Sequence, residues 1–198
     1  MRSLNGAVLA RPLSDEKRNA ILASAAEAVA AFGIAAPTAK IASGAGVAEG
    51  TLFTYFATKD VLFNALYLAL KSEVAAAMMA GYPSKGALRV RWRHLWDRYI
   101  DWGTANPEKR QAIRQLSVSD RVDERSRQSG NQVFRDVYAL MGESIATGAM
   151  TKQPPAFVKA TMESLAETTI EFIVKEPHEH ERYRSAGFEA FWGGAFGA

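Results

Sequence analysis

The segment Thr38-Ala39-Lys40-Ile41-Ala42-Ser43-Gly44-Ala45-Gly46-Val47-Ala48-Glu49-Gly50-Thr51-Leu52-Phe53-Thr54-Tyr55-Phe56 places two short helix-compatible runs on either side of Gly46. Two short helices that cross steeply need a small residue where they touch and a turn residue tolerant of positive φ. They also need apolar residues that hold both against a third helix. Ala42 answers the first requirement, Gly46 the second, and Ile41, Ala45, Val47 and Leu52 the third. This is the spacing of a helix-turn-helix, whose second helix is sized for the major groove of DNA.

The flanks fit that unit. Upstream, from Ser14 or Asp15, the residues Ile21, Ala25, Ala28, Val29 and Phe32 recur at three- and four-residue steps, which predicts a helix over about 15–32. Gly33 is positioned to stop it as a left-handed C-cap, with Ile34 folding back on the last turn. Downstream, Thr58 can cap a longer helix from near Lys59 that turns Leu62, Phe63, Leu66, Tyr67 and Leu70 inward and ends at Gly81-Tyr82-Pro83. Further helices are predicted over about 85–104, 107–117, 120–147, 154–175 and 179–192. Asn106-Pro107, Ser117 to Ser119, Gly148 with Pro154-Pro155, and Pro177 separate them. Strand signals are nearly absent, Asn-Gly occurring only at Asn5-Gly6, so the expected fold class is all-α with about nine helices.

Composition narrows the function. With 48% apolar and 23% charged residues in 198, the chain can bury a core large enough to offset its ordering entropy, which excludes global disorder. The absence of cysteine excludes disulfides, thiolate metal sites and cysteine nucleophiles. The first residues, carrying Arg2, Arg11, Asp15, Glu16, Lys17 and Arg18, lack the apolar stretch of a signal peptide. No window approaches the roughly 18 apolar residues of a membrane span, so a cytoplasmic protein with no membrane partner is expected. Net charge is +3, distributed as +1 over residues 1–63 and +5 over 84–127. DNA binding through the N-terminal part must therefore rest on placed contacts rather than on a broad basic field. The arginines of the middle segment alternate with carboxylates, as on solvated helix faces laced with ion pairs.

Over roughly residues 15–66 the sequence resembles the tetracycline-repressor (TetR-like) family of bacterial transcriptional regulators. The resemblance is carried by Ile41-Ala42, Ala45-Gly46-Val47, Gly50-Thr51-Leu52-Phe53, Tyr55-Phe56 and Lys59-Asp60. It implies a homodimer in which residues 1–63 form a helix-turn-helix DNA-binding domain and residues 64–198 a helical domain for dimerisation and ligand sensing. The partners implied are a double-stranded DNA operator and a small-molecule effector.

Carried over by position, the DNA-binding candidates are Thr38, Lys40, Ala48, Glu49, Gly50, Thr51, Phe53, Thr54, Tyr55 and Lys59. Thr38 is read either as an N-cap or as a phosphate-bonding hydroxyl, and Lys40 either as a backbone contact or as a solvated lysine. Gly50 permits close backbone approach, and Thr51 can meet a thymine methyl or a base edge. Leu52 and Phe56 are assigned to the core. Phe53 lacks the phenolic hydroxyl frequent at its position in the family, and Ala48 lacks the usual hydroxyl. Glu49 replaces a frequent cation, where it either complements the helix dipole or accepts from a cytosine amino group. Lys59, a cation in the first turn of its helix, would join that helix end in attracting phosphate.

For the effector, Trp92, Trp96 and Tyr99 follow i, i+4, i+7. With Phe134, Tyr138 and Met141, and with Phe157, Thr161, Met162 and Leu165, they are candidates to line an apolar pocket, plain core being the alternative. Phe157, Met162, Leu165, Thr169, Phe172 and Ile173 suit a buried dimer interface, as do Tyr183, Phe188, Phe191, Trp192 and Phe196, unless these terminal helices pack on their own domain. His178 and His180 point apart on a helix and have no evident third ligand. No Gly-rich phosphate loop or nucleophile elbow occurs, so neither cofactor, metal nor enzymatic activity is expected. The expected function is a sequence-specific transcriptional regulator, a repressor released from a palindromic operator by a small apolar or amphipathic ligand. The rival, favoured by Ala48, Glu49 and the weak N-terminal charge, is a helical scaffold retained as a protein-interaction module or enzyme without specific DNA binding.

Overall fold

The computed structural model describes residues 14–145, 150 and 152–196. Asn5-Gly6 and the separator Gly148 lie outside the described residues. Among those described there are ten α-helices and no strand.

α1 (Asp15–Phe32) starts where the Ser14 hydroxyl accepts the Lys17 N–H at 3.4 Å, with Asp15 and Glu16 in the first turn facing the positive end of the helix dipole. It stops at Gly33, which has the expected positive φ of 65°. Its ψ of −157°, however, turns the chain into a short 3-10 turn over Gly33–Ala35 instead of a left-handed cap. α2 (Thr38–Gly44) and α3 (Glu49–Tyr55) follow, then α4 (Lys59–Met79), capped by Thr58, whose hydroxyl accepts the Val61 N–H at 3.1 Å. α5 (Leu88–Ala105), α6 (Pro107–Ser117), α7 (Glu124–Gln132), α8 (Arg135–Ile145), α9 (Pro155–Lys175) and α10 (His180–Ala195) complete the chain.

The single helix expected over 120–147 is two. The residues Arg125 to Gln132 are rich in Ser, Gly and Asn, poor helix formers, and the Phe134 N–H bonds to Asn131 three residues back at 3.0 Å, breaking the helical ladder. Gly130 is also where α7 meets α4: a Cβ there would lie 2.7 Å from the Tyr67 ring.

Two hydrophobic clusters organise the molecule. The first joins α1, α2 and α3 to the front of α4 through Ile21, Val29, Ile41, Leu52, Phe56, Phe63 and Leu66, and takes in Ala112 and Leu116 of α6. The second gathers Val74 and Met78 of α4 with Trp92, Trp96 and Ile100 of α5, Leu140 and Met141 of α8, Ile170 of α9, and Phe188 and Phe191 of α10. α4 and α6 therefore belong to both halves. α4 is long and apolar enough to pass for a membrane span, with mean hydropathy 1.4, which corrects the sequence expectation that no window comes close. Half of it is buried and it carries Lys71 and Glu73, the pattern of a core helix threading two clusters.

The terminal aromatics are consumed internally. Phe191 stacks on Trp96 at 5.9 Å and meets Trp92 edge-on at 5.4 Å, while Phe196 stacks on Trp92 at 5.3 Å. α10 can come this close because Gly187 presents no side chain: a Cβ would lie 2.2 Å from the Thr169 hydroxyl of α9.

Candidate nucleic-acid interface and ligand cavity

The turn between α2 and α3 is closed by two backbone bonds, Gly46 N–H to Ser43 O and Val47 N–H to Ala42 O, both 3.0 Å. This double closure requires a left-handed residue, and Gly46 supplies it at φ 66°. α2 is seated on α1 by a buried hydrogen bond from the Ser24 hydroxyl to Ile41 O at 2.9 Å. The closest approach there falls at Gly44, where a Cβ would meet Ser24 Oγ at 2.3 Å. Ala42 is buried as expected, and on the other side of α2 Gly44 leaves room for α1.

α3 is anchored by Leu52, fully buried, and by Phe56 just beyond its end. Truncating Leu52 to alanine would cost about 2–5 kcal/mol. The opposite face is open: Ala48, Glu49, Gly50, Phe53 and Thr54 are exposed, Thr51 and Tyr55 half-buried. A Cβ on Gly50 would meet nothing within 4 Å, so the backbone there faces free space. Thr54 returns its hydroxyl to Gly50 O at 3.0 Å.

Thr38 is the first residue of α2, and the cap position belongs to Pro37. The Thr38 hydroxyl donates to the Glu49 carboxylate at 2.5 Å, tying the start of α2 to the start of α3. The Tyr55 hydroxyl accepts the Ser14 N–H at 3.0 Å, a contact that no local pattern could disclose because its partners are distant in sequence. Lys40 is exposed over the Phe32 ring at 5.3 Å. Lys59 rests over Phe63 at 5.2 Å; burial and the Arg121 guanidinium pull its ammonium below the ordinary lysine range, against Asp60. Arg18, exposed over Phe56 at 5.6 Å, adds a cation on α1 that motif reading passed over.

A cavity of about 560 Å³ lies behind this unit. Its wall is built from Lys71, Val74 and Met78 of α4, Tyr99 and Trp102 of α5, and Ile113, Arg114 and Ser117 of α6. Phe134, Val137, Tyr138 and Met141 close it from the α8 side, and Lys159, Met162, Glu163 and Glu167 from α9. Of the aromatic and apolar candidates, Tyr99, Phe134, Tyr138, Met141 and Met162 come together here. Trp92 and Trp96 do not: they face α10, with indole N–H groups donating to Ser144 at 2.8 Å and to Arg184 O at 2.9 Å. Phe157, Thr161 and Leu165 are also off the wall, Phe157 being 53% exposed. Burial pushes the Tyr99 hydroxyl far above the ordinary tyrosine value, and those of Tyr138 and Tyr67 less far. Trp102, Val74, Met78 and Lys71 were missed. The available signal for Lys71 was a lysine on the inward stripe of α4, one turn beyond Tyr67.

α6 connects the two sites. Ala112 and Leu116 pack in the cluster that holds α1, while Ile113, Arg114 and Ser117 face the cavity. Just beyond α6, Arg121 meets Asp60 of α4 at 2.6 Å, and the Asn64 side chain donates to Arg121 O at 2.9 Å and accepts the Asp123 N–H at 3.0 Å. His180, its imidazole 3.8 Å from Asp101 and 3.5 Å from Glu181, lies beside the ion pairs of Arg184.

Residues 21–66 match the family model for bacterial regulatory proteins of the tetR family. The chain is 30% identical to a putative tetR family transcription regulator from Shewanella sp. PV-4, with 89% of this chain and 96% of that one superposed at a TM-score of 0.78. A TetR family transcription regulator from Marinobacter aquaeolei VT8 is 20% identical, with coverages of 89% and 95% and a TM-score of 0.76. The TetR-like regulator LfrR of Mycobacterium smegmatis, solved in complex with proflavine, shares the fold at 17% identity, 91% and 97% coverage and a TM-score of 0.66.

Proposed function

Because the chain belongs to the tetR family of bacterial regulatory proteins, we propose that it is a repressor whose α3 lies in the major groove of a pseudo-palindromic operator and which a small ligand in the cavity releases. The observation that carries this reading is the division of α3: Leu52 is wholly buried while Glu49, Gly50, Phe53 and Thr54 stand open on a turn closed by Gly46. Such a helix is held from behind and free in front. Gly50 and Thr51 then meet base edges, Lys40 and Lys59 meet phosphates, and Glu49, already engaged by Thr38, braces α2 against α3 more than it reads a base.

Residues 1–63 serve as the DNA-binding unit and 64–198 as the sensing and dimerisation unit. Operator symmetry requires two copies, with the α3 helices roughly 34–36 Å apart. The surface that suits a second copy is the outer face of α9 and α10. On α10 it shows Ala186, Ala190, Gly193 and Gly194, and on α9 Phe157 and Phe172, whereas Ala160 and Ser164 of α9 border the cavity. Small residues let helices approach closely, and the exposed Phe157 and Phe172 supply apolar area at the edge. The LfrR complex is an instance of a small molecule held by a regulator of this fold. In this chain the cavity, at about 560 Å³, is of a size to bury a drug-sized molecule. Occupancy that shifts α6 would be felt at α1 through Ala112 and Leu116, changing the spacing of the two α3 helices; release requires only that the ligand prefer the shifted state. Action on DNA places the protein in the cytoplasm.

The test is titration of the purified protein against its own promoter region at two salt concentrations. Specific binding should exceed binding to scrambled DNA by at least about a thousandfold and weaken steeply with salt. Equal affinity for scrambled DNA would favour a scaffold that has lost operator recognition.

A further inference from the structure

Among the described residues, the charged side chains on the cavity wall are matched with one exception. Glu163 takes Lys159 at 2.6 Å, and Glu167 is shared by Arg114 at 2.9 Å and by Arg110 at 2.5 Å. Lys71, midway along α4, is only 9% exposed, and among the described residues no hydrogen bond or ion pair reaches its ammonium. Its neighbours are ring faces: the Phe134 centroid lies 4.5 Å from Nζ and that of Tyr67 5.9 Å. Ring faces attract a cation but offer it no acceptor atom. Folding has therefore buried most of this side chain and returned no hydrogen bond from the described residues to its ammonium, an arrangement that costs free energy to the extent that the lost water is not replaced by an acceptor. Burial, and secondarily Lys159, pulls the amine down to about 8, against Glu163, so at neutral pH it keeps its proton.

The rest of the wall specifies what accompanies the acceptor. Val74, Met78, Val137, Met141 and Met162 are apolar, and Tyr99 and Trp102 add ring surface. A carboxylate reaching Lys71 meets a donor that has already given up part of its water, while its carbon body covers the apolar side chains of the cavity wall. A ligand cation gains no such advantage because both wall carboxylates are already taken, and a polyanion finds only one unmatched positive charge. We infer that the cavity selects a monocarboxylate on an apolar or aryl body, its head group bonded to the Lys71 ammonium. The inference rests on the reading of this cavity as the effector site and adds the chemical class of the effector.

Three probes with one tail decide it: 6-phenylhexanoate, 6-phenylhexan-1-ol and 6-phenylhexylammonium, each titrated calorimetrically into the full-length protein at pH 7. The carboxylate should bind about 10- to 100-fold more tightly than the alcohol, the worth of a charge-assisted hydrogen bond, and the ammonium most weakly. Lys71→Met should bind carboxylate and alcohol alike, and Lys71→Arg should keep the preference. Equal binding of acid and alcohol by the unaltered protein, or a preference that survives Lys71→Met, overturns the carboxylate assignment and leaves the cavity a ligand site. Failure of all three to bind overturns both.

Discussion

At the scale of single residues, Lys71 and Gly50 each set a functional requirement against stability. The Lys71 ammonium is charged where it has ring faces and no acceptor, so Lys71→Met should raise the stability of the ligand-free protein at pH 7, read as a higher Tm. The sign of the pH dependence follows from its depressed value. Between about 8 in the folded chain and 10.5 in the unfolded one, the unfolded state binds more protons, so this residue's penalty is full below pH 8 and fades as the pH rises to 10.5. Across that window the gap between Lys71→Met and the unaltered protein should narrow by about 3 kcal/mol. The raised tyrosines Tyr67 and Tyr138 nearby are common to both proteins, as are the charges of Lys159 and Glu163, so their contributions cancel to first order in the comparison. A gap that does not change between pH 7 and pH 10 would show that the ammonium is not desolvated. Gly50 shows the converse. With open space where its Cβ would stand, Gly50→Ala should stabilise the free protein by up to about 1 kcal/mol through helix propensity, yet weaken operator binding by filling the approach path. Unchanged DNA affinity in that variant would mean that the backbone at Gly50 does not meet the duplex.

At the scale of elements, the helix-turn-helix was legible because its determinants are local. Gly46 with φ 66°, the bonds from Gly46 and Val47 back to Ser43 and Ala42, and the Thr58 cap all lie within a few residues of the atoms they position. Gly46→Ala should accordingly cost about 1–2 kcal/mol by forcing a side chain into the left-handed region, measured as a drop in chemical-denaturation midpoint. The outward and inward halves of α3 were separable by period alone. Period failed on the helices of the sensing half. Trp92, Trp96 and Tyr99 share a stripe on α5, yet the two tryptophans pack against Phe191 of α10 while Tyr99 faces the cavity, because α10 covers one part of the stripe and α9 leaves the other open. The break between α7 and α8 was likewise hidden, since weak helix formers bend only where a neighbour such as Tyr67 is there to be packed against.

At the scale of the whole molecule, function requires two couplings, one between copies and one between sites. If the small-residue face of α10, with the exposed phenylalanines of α9, joins two copies, Ala190→Arg should leave the secondary structure intact, yield monomers by sedimentation and abolish high-affinity operator binding. Dimers of undiminished stability would move the interface elsewhere. Between the sites, α6 and the Arg121–Asp60 contact run from the cavity to the front of α4. Both partners are substantially exposed, so Arg121→Ala should change stability by less than about 1 kcal/mol. It should nevertheless reduce the factor by which ligand weakens DNA binding, compared by titrating operator with and without 6-phenylhexanoate. An unaltered factor would assign the coupling to the apolar contacts of Ala112 and Leu116 alone.

The amino-acid order by itself determined an all-α chain, the starts of its first four helices, the turn at Gly46 and the family pattern around it, since caps, turns and helical period act over a handful of neighbours. It could not determine which aromatics close a core and which wall a cavity, nor that Thr38 and Ser14 are bound to Glu49 and Tyr55. Least of all could it show that, among the described residues, Lys71 alone of the charges on the cavity wall has no ion-pair or hydrogen-bond partner. Each of these depends on helices remote in sequence meeting in space, where burial and the pairing of charge are decided by the sum of all contacts rather than by the residues on either side.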